Sequence, residues 1–518
     1  MSDHDVVIVG GGHNGLVAAC YLARAGLDVV VVEQRDWLGG MTTTRAFVPE
    51  SPEHLLSPGA YENVYLRAGG VARELELDRF GYREVEAAGW AWLGAGGESL
   101  LLQRDVGQTV AEIARFSRAD ADHYRELAVA GTKILAIQDR YGTRDPRRPG
   151  WRTLLAAARA LVTDRRVRAL LPALLTGTGA DAIVSTFTST AVRGIFACTG
   201  TILSPLTVDG SAIVMLAPAL LHHQGAARPI GGMGGLVAAL ERCLRSHGGA
   251  ARTGAAVVAI GGRGRAETVE LADGSVLRAA RGVIAACPPQ LVPGLTGQGL
   301  NGSVGERIRR APANSGGVGT LTVNLALRGT LDLPAHQPAR AGVDLRRPTL
   351  FGGTLEDNLA AGAQAARGEL PDRPPFCLAI FTAIDPSQAP PGQDVVQLYT
   401  PTPVAARDGS EASRGPAAEK LLASVAPIIP GLASLEIGRY VEGPADLSAR
   451  TGASNGCIYH VDHLPTRMGP LRPAAGAGGF RTPLAGLYLG SAGCHPGGGV
   501  SGLPGKLSAA ALLKDTAR

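Results

Sequence analysis

The chain has 518 residues and a formal net charge of +5, with no basic tail and no zinc-finger spacing, which argues against nucleic acid as a partner. Its seven cysteines stand singly at 20, 198, 243, 287, 377, 457 and 494, an odd set without a C-x-x-C pair, so neither a disulfide framework nor a metal site is expected. The start, MSDHDVVIVGGG, carries no basic n-region, and no uncharged apolar run reaches the ~20 residues of a membrane span, so a cytoplasmic protein is expected.

In chain order, Asp5–Gly10 (DVVIVG) is a short, β-branched apolar run that predicts a buried parallel strand. Leu16–Ala25 predicts a helix, closed by Gly26 as a left-handed C′ residue. Asp28–Val32 predicts the second strand, completing a βαβ unit. From about 105 to 227 the pattern is mainly helical, and Trp151, Leu154, Leu155, Ala158, Leu161 and Val162 recur at helical spacing. Strand signals return at Ala256–Ile260, Val269–Leu271 and Val283–Ala286, with a hairpin-like turn at 272–274. Beyond 290, strands are predicted at Thr320–Leu325, Cys377–Thr382 and Val395–Tyr399, and a helix at Ala417–Ile428. Segments rich in Pro and Gly at 328–350, 385–394 and 402–416 read as loops. A last strand, Gly486–Gly490, leads through a Gly-rich turn to a final helix at about 500–515.

Between the first strand and helix lies Gly10-x-Gly12-x-x-Gly15. Gly10 permits the tight turn, Gly12 lets backbone approach a pyrophosphate, and Gly15 lets helix and strand pack closely. The phosphates would then meet the free N–H groups and positive end of the helix. Glu33 ends the second strand 18 residues after Gly15, where a carboxylate accepts hydrogen bonds from a ribose. The unit by itself does not separate FAD from NAD. No clear second G-x-G-x-x-G unit for NAD(P)H follows, and the electron acceptor cannot be read.

The next residues, Glu33-x-Arg35, then Gly39-Gly40-Met41-Thr42, resemble the ExRxxxGG extension of the amine-oxidase and phytoene-desaturase superfamily of FAD enzymes. Pro229–Leu236 (PIGGMGGL) resembles the middle motif of its phytoene-dehydrogenase-related branch, and His495–Gly502 (HPGGGVSG) resembles its C-terminal motif. The resemblance implies an α/β fold: a discontinuous Rossmann-type FAD domain from 1–70, 228–290 and 475–518, a mainly helical cap at 71–227, and an α+β substrate domain at 291–474. It implies non-covalent FAD held by Gly10, Gly12, Gly15, Glu33, Arg35, Gly39, Gly40, Met41 and Thr42, with Val257 as a backbone contact to the adenosine. Gly490 and Ser491 would contact the pyrophosphate or ribityl chain, and Gly499 and Val500 the flavin pyrimidine. Cys494 as a covalent attachment point is disfavoured by its spacing.

For chemistry beyond the flavin, His460 and His495 are the candidate acid–base or orienting groups. His222 and His223 read as helix-end residues. The implied function is an FAD-dependent desaturation of a carbon–carbon bond in a hydrophobic, isoprenoid-like small molecule by hydride transfer to flavin N5. The alternatives are oxidation of an amine or polar natural-product intermediate, with Tyr459 and Phe480 as candidates for an aromatic cage, and a redox-neutral double-bond isomerase. The segment 144–168 mixes Arg147, Arg148, Arg152, Arg165, Arg166 and Arg168 with Trp151 and an apolar helix face. It suits either an anionic membrane surface or, the favoured reading, a cap helix with its apolar side on the core.

Overall fold

A computed structural model describes residues 2–340, 342–407 and 414–517; part of the loop expected at 402–416 lies outside the described residues. The first strand, Ser2–Val9, is the centre of a seven-stranded sheet. Parallel neighbours on one side are Val29–Val32 and then Ala250–Arg252; on the other side lies Val276–Ala285. That long strand has two partners along its length. Its start forms the hairpin with Thr268–Leu271, which pairs in turn with Val257–Gly261, and its end pairs in parallel with Leu487–Leu489. All four valines of Val29–Val32 are buried, as expected of a strand covered on both faces. The helix His13–Arg24 packs against Met233–Ser246 and Leu503–Thr516, so residues from both ends and the middle of the chain build one layer. Gly26, with φ of +84°, follows the helix as expected.

Gly15 sets the distance between this helix and its sheet. A Cβ there would lie 2.0 Å from the carbonyl oxygen of Gly10 and 3.2 Å from the Ala286 side chain. No side chain fits, so the backbones meet directly.

A second seven-stranded sheet runs in the order Glu436–Glu442, Val318–Leu327, Asp394–Pro403, Phe376–Ile380, Thr349–Gly352, Trp90–Leu93, Ser99–Leu102. Its pairs are antiparallel except Thr349–Gly352 with Trp90–Leu93. Along Val318–Leu327 the side chains alternate: Leu321, Val323 and Leu325 enter a core backed by the helix Arg414–Val425, while Thr320 and Thr322 face a cavity. Four of these strands differ from expectation: Glu436–Glu442 follows the predicted helix where no strand is expected, and the other three are short. Trp90–Leu93 and Ser99–Leu102 lie ahead of the helical stretch, and Thr349–Gly352 begins inside the segment read as a loop. Each is only four residues long, too short to show a period, and the partner of Trp90–Leu93 lies some 260 residues away in the chain.

The helices Arg118–Gly142, Arg165–Thr176, Gly179–Thr186, Thr190–Thr201 and Ala217–Gln224 share a core with this sheet, and Trp151–Thr163 lies outside them against Arg118–Gly142 and Arg165–Thr176. Here the structure corrects the reading of the apolar face at 151–162. Thr153 is the buried residue of Trp151–Thr163, flanked by the half-buried Ala156, Ala157 and Ala160, whereas Trp151, Leu154, Leu155 and Val162 are exposed. The small side chains allow close approach to the layer, and the large apolar ones point to solvent.

The close contact at Gly15 is testable. Gly15→Ala should destabilise the protein by about 1–3 kcal/mol or more through overpacking, seen as a lowered Tm. Gly362→Ala is the control: it sits in the helix Leu355–Ala366 with nothing within 4 Å of the added carbon, and should leave Tm unchanged or raise it. An unchanged Tm for Gly15→Ala would remove the close-packing account.

Candidate active site

One cavity of about 520 Å³ connects the two sheets. One end is built from the Gly10–Gly15 turn, Glu33 and Val257; the other is walled by side chains of the second sheet and of the helical layer. At the first end, Gly12 caps the helix His13–Arg24 without any side-chain hydrogen bond, and no acidic residue occupies the first turn. A Cβ on Gly12 would meet only the Gly39 carbonyl oxygen, at 4.0 Å, so the space before it is open. The buried polar atoms His13 Nε2 and Asn14 Oδ1 line this space without a partner among the described residues. The free N–H groups and the open backbone approach make a cradle for an anionic group such as a pyrophosphate, and the Asn14 amide oxygen beside it is an acceptor for a hydroxyl donor.

Glu33 is oriented by its own neighbourhood. Its two carboxylate oxygens accept from the Gly11 N–H (2.8 Å) and the Arg35 N–H (2.9 Å), leaving further lone pairs facing the cavity for hydroxyl donors. The Gly39–Thr42 turn lies against the Gly10–Gly15 loop through the Gly39 N–H to Gly11 carbonyl bond of 2.9 Å. Gly39 takes φ of +120° and Gly40 +57°, conformations open to glycine.

Of the residues singled out from sequence, Gly10, Gly12, Glu33, Arg35, Gly40, Met41, Val257, His460, Gly499 and Val500 all line the cavity. Gly15, Gly39, Thr42, Gly490 and Ser491 stand behind its wall. The Thr42 hydroxyl donates to the Gly39 carbonyl (2.7 Å), and the Gly490 N–H donates to the Ala285 carbonyl (2.9 Å). Arg35 donates to the carbonyls of Ala449 and Arg450. His495 is buried away from the cavity, with Nε2 3.2 Å from the Tyr141 carbonyl and its ring edge-on to Tyr141. Cys494 is also off the wall, and burial pushes its thiol up to about 12, which keeps it protonated. His222 bonds Tyr124 and the Arg104 carbonyl, and His223 bonds Asp139. The final helix begins at Leu503, so the Gly499 and Val500 N–H groups belong to the turn ahead of it. Val500 holds φ of +59°, a strained conformation for a β-branched residue at the cavity wall.

Several site residues were missed from sequence. Arg450 and Glu442 form a buried bidentate pair at 2.5 and 2.8 Å on the wall, and Arg450 also donates to the Gly40 carbonyl at 2.7 Å. Tyr65, not singled out from sequence, and Tyr459, expected as a cage candidate and found on the cavity wall, flank the Gly-rich turn: a Cβ on Gly499 would lie 2.4 Å from the Tyr65 ring, and one on Gly498 2.5 Å from the Tyr459 ring. Arg472, fully buried, has no carboxylate partner among the described residues; it donates to the carbonyls of Tyr459 (2.8 Å), Val461 (3.1 Å), Asp462 (3.0 Å) and Ala492 (3.0 Å). It thereby ties together the segments that carry His460 and the Gly-rich turn. The Arg450 bond to Gly40 joins residues 410 apart in the chain, and the main-chain carbonyls around Arg472 carry no side-chain signal, so neither position leaves a local pattern.

Family matches agree with this geometry. A model described as FAD dependent oxidoreductase matches residues 5–93, and one described as flavin containing amine oxidoreductase matches residues 177–503. The chain belongs to the flavin-containing amine oxidoreductase family. Pyridine nucleotide-disulfide oxidoreductase domain-containing protein 2 of Rattus norvegicus is 30% identical, over 99% of this chain and 94% of the relative. Hydroxyneurosporene desaturase of Cereibacter sphaeroides is 28% identical, over 99% of this chain and 98% of the relative. Among solved structures, a redesigned putrescine oxidase triple mutant shares the fold with a TM-score of 0.62 at 16% identity, covering 100% of this chain and 99% of that one. This flavoenzyme is an FAD-dependent oxidoreductase, and the cradle at Gly12, His13, Asn14 and Glu33 fits the phosphates and ribose of FAD. Among its described residues, no helix is long and apolar enough to cross a membrane.

Four buried histidines of the flavoenzyme are held neutral. Burial pushes His460 down to about 3, helped by the Arg472 charge and by His13; it pushes His463 to about 3, and His13 and His495 to about 4. His460 Nδ1 has no partner among the described residues.

Two predictions follow from the site. Gly12→Ala should leave the Tm of the apoprotein intact yet weaken FAD binding by about tenfold or more, read by flavin fluorescence titration, because the added methyl stands where backbone must approach phosphate. Retained affinity would displace the phosphate from Gly12. The second concerns pH. A histidine whose folded pKa is depressed stabilises the fold fully above its unfolded value of 6.5, and that stability is lost as pH falls toward the folded value of about 3. Tm should therefore decline between pH 7 and 4, less steeply in His463→Gln; parallel pH profiles for the two proteins would refute the assignment.

Proposed function

We propose that the flavoenzyme desaturates a carbon–carbon bond of a hydrophobic, isoprenoid-like small molecule. The observation that carries the reading is the far end of the cavity, walled by Val64, Trp90, Ile202, Leu203, Phe351 and Ile458. The carboxylate at this end, Glu62, is already engaged: it accepts from Trp90 Nε1 (3.1 Å) and Thr349 Oγ1 (2.7 Å) and lies 3.5 Å from Arg228. Such a wall favours an apolar chain by burial and offers little to a charged one. The kinship with a relative named a hydroxyneurosporene desaturase supports the same class.

Bound FAD supplies a two-electron acceptor that takes hydride at N5. The chain orients the substrate, excludes water and handles the accompanying proton. Loss of hydride from carbon leaves a cationic centre whose neighbouring C–H is strongly acidic, so a weak base suffices. His460, neutral and with Nδ1 unpaired at the cavity wall, is the side chain assigned to that proton.

A second reading, amine oxidation, is favoured by one observation: the rings of Tyr65 and Tyr459 stand together over the Gly498–Gly499 turn, where they would attract a cationic or amine group. Phe480, the other candidate for a cage, is packed in the core of the dinucleotide-binding layer instead.

Anaerobic titration of the FAD-loaded enzyme separates the readings. Isoprenoid hydrocarbons should bleach the oxidised-flavin band and amines should not. Bleaching by amines alone, with KM raised in Tyr459→Leu, would transfer the assignment to amine oxidation. Product formation that requires reduced flavin without net oxidation would make the enzyme an isomerase.

A further inference from the structure

The helix Trp151–Thr163 presents its large apolar side chains outward. Trp151 is 69% exposed, Leu154 57%, Leu155 59% and Val162 73%. At about 100° per residue these four, with Ala158 and Leu161, occupy one continuous arc of roughly 120°. The opposite side, Thr153, Ala156, Ala157 and Ala160, is the side that packs on the protein. A soluble cap helix would be wound the other way. The following helix, Arg165–Thr176, adds the exposed Leu175 (48%). Scattered exposed leucines need no explanation, but an ordered stripe of this kind marks a surface that is covered.

Charge says what covers it. Between 144 and 168 the chain holds eight arginines and two aspartates. Asp164 is engaged by Lys133 and by the N–H groups of the helix it caps, and Asp145 by Arg147. Arg148, Arg152, Arg159, Arg165 and Arg168 are exposed and enter no ion pair among the described residues. Arg152 and Arg159 fall on one edge of the apolar arc, and the Arg152 guanidinium lies 5.3 Å from the Trp151 ring centroid. An apolar stripe with an interfacial tryptophan and an arginine border matches a bilayer surface carrying anionic headgroups, where the stems bury and the guanidinium groups meet phosphate. A protein partner would have to supply both a long apolar groove and a matching acidic rim.

The stripe is also joined to the cavity. The Gly177 carbonyl, just after the second helix, accepts from the N–H groups of Gly210 (2.9 Å) and Ala212 (3.1 Å). That segment leads into Ala217–Gln224, whose Ala217 and Leu220 line the cavity.

The geometry points to the helical hairpin 151–176 as a docking surface that lies in the interface of an anionic lipid bilayer. Docking does not rest on the desaturase reading, and the test needs no turnover.

The FAD-loaded full chain is sedimented with phosphatidylcholine vesicles and with vesicles of phosphatidylcholine and phosphatidylglycerol in equal parts. Binding to the anionic vesicles, weakened by added salt, is expected. Leu154→Ser, Leu155→Ser and Val162→Ser combined should lower that binding about tenfold or more while the flavin spectrum is unchanged, because these side chains support no core. Arg148→Gln, Arg152→Gln and Arg159→Gln combined should remove most of the preference for anionic vesicles, and this second variant carries the test should the first fold poorly. Failure of the wild type to sediment with either vesicle, or equal binding by the serine variant, would overturn the proposal. So would light scattering that shows a wild-type dimer and a monomeric serine variant, since a second copy of the chain would then cover the stripe.

Discussion

The molecule depends on one contact between backbones. Helix His13–Arg24 can begin directly at the end of strand Ser2–Val9 because Gly15 carries no side chain against the Gly10 carbonyl. That approach sets the uncapped helix start, with its free N–H groups, at the mouth of the cavity. The rest of the dinucleotide end is assembled around it: Glu33 held by the Gly11 and Arg35 N–H groups, and the Gly39–Thr42 turn laid on the loop. The two glycines have opposite demands. Gly15 must be small because protein is there, and Gly12 because nothing of the protein is.

A second constraint is the cost of burying charge. In and behind the cavity wall the chain meets it by keeping groups neutral or fully engaged. Four histidines are held in the neutral form, Arg450 is matched by Glu442, and Glu62 is saturated by donors. Arg472 is the exception in kind: its charge is met by main-chain carbonyls from several segments instead of by a carboxylate. An Arg fork fits that task, since its donors lie in one plane and reach several acceptors at once. The result is a wall whose charged groups are bonded to one another, with apolar side chains such as Val64, Leu203 and Phe351 between them.

The second sheet and the helical layer divide labour by side-chain direction. Alternation along Val318–Leu327 sends leucines and valine to one core and threonines to the cavity. The helix Trp151–Thr163 applies the same logic at the surface, with small residues inward and large apolar ones outward. In both places the backbone does little more than set the period, and the choice of side chain decides what each face can touch.

The dinucleotide end was legible because its determinants are local. Strand, glycine turn, helix and the acid at Glu33 lie within 33 residues, and each reports its own role through backbone sterics or strand-end position. Hydrophobic period likewise revealed the first helix and the stripe at 151–162, and Gly26 marked the end of that helix as a left-handed glycine. What only tertiary structure decided were the pairings across distance: Trp90–Leu93 beside Thr349–Gly352, Arg450 on Gly40, Arg472 among its carbonyls, and the placement of His460 on the wall and His495 behind it. It also decided the direction of the 151–162 stripe, because a helical period states that one face is apolar and cannot state whether protein or solvent lies before it. Local sterics are written in neighbouring residues; burial and charge compensation depend on which distant segment the folded chain brings alongside.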